Sequence, residues 1–70
     1  SMHGPKAVHA LARVELGEAA LAAGDRTGAC EQWQMAKMAF HDEGLKDAYA
    51  LTDKRMRDNG CPTDWVLTEF

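Results

Sequence analysis

Between Leu16 and Phe40 the chain reads LGEAALAAGDRTGACEQWQMAKMAF, a run rich in alanine and glycine and broken once by Gly24-Asp25. Helices built from such small residues can approach one another closely across a short turn. Gly24 can take the left-handed conformation that closes a helix. Asp25 or Thr27 can cap the next helix by accepting a backbone N–H. The stretch predicts an antiparallel helical hairpin in which Gly17, Ala20 and Ala23 face Ala29 and Ala36, with Trp33 filling the wider space between them.

The flanking sequence extends the same pattern. Pro5 suits a first helical turn, where its missing N–H costs nothing. Val8, Leu11, Ala12, Leu16 and Ala19 then recur at three- and four-residue spacing as far as Ala23. The second helix is expected from about Thr27 to His41, with Ala29, Trp33, Ala36 and Phe40 on one face and Gly44 at its end. A third begins near Leu45 and puts Leu45, Ala48, Tyr49, Thr52 and Met56 on one face. Lys54, Arg55 and Arg57 sit in its last turn, where cations suit the helix dipole, and Asn59-Gly60 stops it. Cys61-Pro62 turns the chain, and Thr63 or Asp64 caps a short C-terminal turn carrying Trp65, Val66, Leu67 and Phe70. No segment shows the alternation of a strand. The expected fold is all-α: an antiparallel hairpin, a third helix and a short C-terminal turn. Residues 1–4 read as a disordered tail containing a cloning remnant, Ser1-Met2, and residues 5–70 as one small helical domain.

Composition narrows the function classes. The net charge of −3 argues against nucleic acid, which demands clustered Lys and Arg. No apolar run approaches the roughly 18 residues of a membrane span. A 70-residue chain buries only about 60% of its unfolded surface, so a staple or a partner is expected to support it.

The order Leu16-Gly17, Ala19-Ala20, Gly24-Asp25, Ala29, Trp33 and Ala36 resembles the tetratricopeptide repeat, a helix-turn-helix unit of about 34 residues. The resemblance covers one repeat, about residues 10–43, with the third helix as its cap. Arg13, Ala20 and His41 depart from the bulky, tyrosine and proline positions of that family. The resemblance implies a concave groove that binds a peptide or helix of a partner protein. Carried onto this chain, the groove-facing positions are Leu11, Val14, Glu18, Leu21 and Ala22, joined by Thr52 and Arg55 from the third helix. The family's clamp for a C-terminal carboxylate is missing, since Val14 and Glu18 stand where lysine and asparagine are needed. The expected function is therefore a non-catalytic protein–protein interaction module. The alternative is a self-associating homodimer or a fragment of a longer helical-repeat protein. Met35 and Met38, partly off the Trp33 stripe, either form a second adaptable surface or pack against the third helix.

Two cysteines supply a candidate staple. If the third helix folds back along the second, the chain after Gly60 returns to the level of Cys30. A Cys30–Cys61 disulfide would close a loop of about 31 residues, worth roughly 3.5–4 kcal/mol in the chain-entropy model. It would place the protein in the periplasm or outside the cell. The other reading makes Cys30 a small packing residue and Cys61 a free thiol, in a cytoplasmic protein.

The inventory for catalysis is thin. His3, His9 and His41 are the only histidines and Ser1 the only serine, and no phosphate loop, His-Glu-x-x-His or Cys-x-x-Cys occurs. Asp42-Glu43 reads as a solvated helix end. Cys30, Cys61 and His41 are too scattered for a zinc site, which wants four ligands. No enzyme activity, cofactor or metal is expected.

Overall fold

A computed structural model describes residues 5–63. Three helices follow one another: α1 (Pro5–Ala22), α2 (Arg26–Asp42) and α3 (Lys46–Asp58), and there is no strand among the described residues. The fold is all-α. The N-terminal tail and the expected C-terminal turn with Trp65, Val66, Leu67 and Phe70 lie outside the described residues.

Glycine sets both turns. Gly24 has φ +83° and Gly44 φ +70°, a region that a side chain disfavours. At the first turn Gly24 N–H reaches Leu21 O at 3.0 Å and Asp25 N–H reaches Ala20 O at 2.9 Å, so two terminal carbonyls of α1 are satisfied. Asp25 then caps α2, its Oδ1 accepting from Gly28 N–H at 2.9 Å. The second turn repeats the geometry, with Gly44 bonded to His41 O and Leu45 to Phe40 O. The end of α3 does so again: Cys61 N–H reaches Met56 O at 2.9 Å. The two connections between helices are therefore three residues long and leave consecutive helices antiparallel.

Helix α2 is the centre of the bundle, with α1 packed on one side and α3 on the other. Its expected stripe is the core: Ala29, Trp33, Ala36 and Phe40 are all buried. Trp33 gathers Ala29, Met56 and Cys61, with Val14, Ala20 and Leu21 against them, while Phe40 gathers Ala10 and Ala36, with Leu45, Ala48 and Tyr49 around them. Burial of the indole alone removes about 150–250 Å² from water, worth roughly 4–6 kcal/mol as an upper estimate.

The face of α1 differs from the expected stripe. Val8, Leu11 and Leu16 are more than half exposed, and Ala12 and Ala19 are exposed as well. The buried face is Ala7, Ala10 and Gly17, with Val14, Ala20 and Leu21 half-buried. The reason lies on α2. Its two rings need small residues opposite them, so the larger aliphatics of α1 turn aside. Ala23 also departs from expectation, being exposed at the turn rather than buried in the hairpin. Met35 and Met38 are exposed and do not pack under α3.

Between α2 and α3 the interface is partly polar. Lys37 is buried, its Nζ donating to Asp53 Oδ1 at 2.9 Å and lying 5.3 Å from the centre of the Tyr49 ring. Arg57 Nε approaches the other oxygen of Asp53 at 3.1 Å.

Candidate functional site

Because α1 and α3 both lean on α2 and barely touch each other, a groove opens between them. Its floor is Trp33 and Phe40 of α2. Leu11 and Val14 form one wall, and Ala48, Leu51, Thr52 and Arg55 the other. Toward the turn between α2 and α3 it widens into a pocket of about 560 Å³ that shares Leu11, Phe40 and Ala48 and adds Ala7 and Leu45, with Lys46 and Asp47 at its exposed edge.

The groove is apolar for a local reason on each helix. The Thr52 hydroxyl donates to Ala48 O within α3 at 2.8 Å, so this residue adds no free polar group. The Trp33 Nε1–H donates to Val14 O at 3.3 Å, so the indole is satisfied beneath the surface. Leu11 is 53% exposed and Leu51 66%, two large aliphatics on opposite walls that face water instead of each other. One end is closed by charge: Arg55 Nη1 pairs with Glu18 Oε1, joining α3 to α1.

Leu11, Val14, Thr52 and Arg55 thus line one groove, and Glu18 bridges its end. Leu21 is half-buried against the Trp33 cluster, and Ala22 is exposed at the last turn of α1. Neither lines the groove. Leu51, Ala48 and Phe40 were missed in the sequence, yet Ala48, Leu51, Thr52 and Arg55 fall at i, i+3, i+4 and i+7, a spacing that marks one helix face.

Cys30 in α2 and Cys61 after α3 are at disulfide distance, with Cα atoms 5.6 Å apart. Cys61 is buried and Cys30 half-buried. His9 is exposed on α1, while His41 on α2 lies beside Tyr49, ring centres 6.1 Å apart. No group of three or more His, Cys, Asp or Glu is placed to hold a metal among the described residues. No described helix is long and apolar enough to cross a membrane.

No protein-family model, curated protein or solved structure matches the chain.

Proposed function

We propose that this chain is a non-catalytic protein–protein interaction module that receives an apolar peptide or helix of a partner between α1 and α3. The observation that carries this reading is the groove itself: a floor of two buried aromatic rings under two walls whose leucines, Leu11 on α1 and Leu51 on α3, are more than half exposed. Such a concave, apolar patch with a charged end is the usual form of a recognition surface. The placement of α1 and α3 on either side of α2 also suits a tetratricopeptide-like unit, in which the first helix of each pair lines the groove. The cysteine pair favours an oxidising compartment, the periplasm or the extracellular space.

Self-association is the second reading. It draws on a different surface, the exposed Met35 and Met38 of α2.

Selection from a phage-displayed peptide library tests the first reading. Binders are expected to carry spaced apolar residues and to lose at least tenfold in affinity against Leu51→Glu, a change at an exposed position that leaves the fold intact. Binders indifferent to that variant, or none at all, would remove the groove from consideration. Sedimentation of the isolated chain separates the second reading: Met38→Glu should dissolve a dimer built on the methionines.

A further inference from the structure

We infer that the Cys30–Cys61 disulfide is a redox latch on α3: a dithiol that reduces it releases α3 from α2 and removes one wall of the groove, while the α1–α2 hairpin stays folded. The latch concerns α3 itself. Only its effect on partner binding rests on the function proposed above.

The bond sits where it controls one helix. Cys61 is hydrogen-bonded into the end of α3 through Met56 O, and Cys30 lies one turn inside α2. The link therefore fastens the free end of α3, whose other end is already held by the Gly44 turn.

Without that link α3 keeps Met56 against Trp33 and Ala48 and Tyr49 beside Phe40, over a seam that is otherwise polar. At 13 residues it is at the edge of what stays helical alone in water. The stripe of α2 beneath it is unusually polar for an interface. Cys30, Gln34 and Lys37 follow at i, i+4 and i+7, and the first and last of them touch Cys61 and Asp53 at the α3 side. The Lys37 ammonium is buried at a desolvation cost that its pairing with Asp53 must offset. The Gln34 Oε1 is buried with no hydrogen-bond partner among the described residues. Departure of α3 returns the Lys37 ammonium to water. The α1–α2 face differs in kind: Ala7, Ala10 and Gly17 of α1 are buried against α2 with no charged side chain buried among them, although both rings are shared with α3.

The chemistry is thiol–disulfide exchange. A thiolate of the dithiol attacks a sulfur of the pair, at the more exposed Cys30, forming a mixed disulfide and expelling Cys61 as a thiolate that takes up a proton. The second thiol of the reagent then displaces Cys30, and the dithiol leaves as its own disulfide. Two electrons pass to the protein, and both cysteines end as thiols.

Hydrogen exchange on the full chain, with and without dithiothreitol, tests the latch. In the reduced protein, amides of residues 46–58 should lose roughly 100-fold or more of their protection, while those of 10–21 and 30–41 change less than about threefold. The double variant Cys30→Ser, Cys61→Ser should show the same pattern without reductant. Equal loss across all three helices would overturn the proposal, since the bond would then hold the whole domain. Unchanged protection in α3 would overturn it too. Neither readout involves a partner, so a failed latch and a failed groove are told apart.

Discussion

Gly17 and Trp33 meet with no space for one more carbon: a Cβ at position 17 would stand under 3 Å from three atoms of the indole. The same ring donates its N–H to the Val14 carbonyl oxygen one turn earlier in α1. This contact sets the distance between α1 and α2. Gly17→Ala is therefore expected to destabilise the protein by about 1–3 kcal/mol through overpacking, although alanine is the better helix former by about 1 kcal/mol. Urea unfolding measures the sign, and a stabilised Gly17→Ala would show that the helices are not in this register.

Trp33 is the largest fully buried side chain among the described residues. Trp33→Ala should cost about 3–5 kcal/mol, enough to unfold most of a domain this size. Circular dichroism at room temperature reads the loss of helix directly. A Trp33→Ala variant that retains its full helical signal and melting temperature would contradict the core as described.

The buried ion pair predicts an asymmetry between its partners. Asp53→Ala strands the Lys37 ammonium between α2 and α3 and is expected to cost about 2–3 kcal/mol, below the full value for a buried pair because Asp53 is partly exposed. Lys37→Met removes the charge together with its need for a partner and should fall within about 1 kcal/mol of the parent or be more stable. Paired denaturation curves decide it. Equal losses in the two variants would mean the lysine stabilises the interface rather than burdening it.

At the exposed end of α3, Lys54 donates to Asp58 at 2.7 Å, and that hydrogen bond is the main cause holding the Asp58 carboxyl below its ordinary value of 3.8, helped by the charges of Lys54, Arg57 and Arg55. The folded value is lowered, so any stabilisation is present above the unfolded value and lost as pH falls through the folded one. Both side chains are solvated and salt screens them. Carboxyl-carbon NMR should place the Asp58 midpoint below 3.8 and move it upward in Lys54→Met. A midpoint indifferent to that substitution would leave the pairing without effect in solution.

The helix ends were legible because each is written in one residue type with one physical use. Gly24, Gly44 and Gly60 are the positive-φ residues among those described, and each stands two residues beyond the last residue of a helix. The α2 stripe was legible because Trp33 and Phe40 dominate any hydrophobic pattern. The α1 face was not, since hydropathy ranks Leu11 and Leu16 above Ala10 and Gly17, whereas the rings opposite demanded the smaller residues. The burial of Lys37 was hidden for a related reason: nothing on α2 announces it, and its partners Asp53 and Tyr49 come from α3. In the groove, Leu11, Val14, Thr52 and Arg55 were positions that the repeat resemblance implied. Phe40 was not among them, because it serves as core for α1 and as floor for the groove together.

The claim that the space between α1 and α3 is the docking site is tested most directly by titrating isotope-labelled protein with a library-selected peptide and following amide and indole NMR signals. The account predicts shifts at Leu11, Val14, Ala48, Leu51 and the Trp33 indole N–H, with Met35 and Met38 unmoved. Shifts centred on Met35 and Met38, with Leu11 and Leu51 silent, would contradict it.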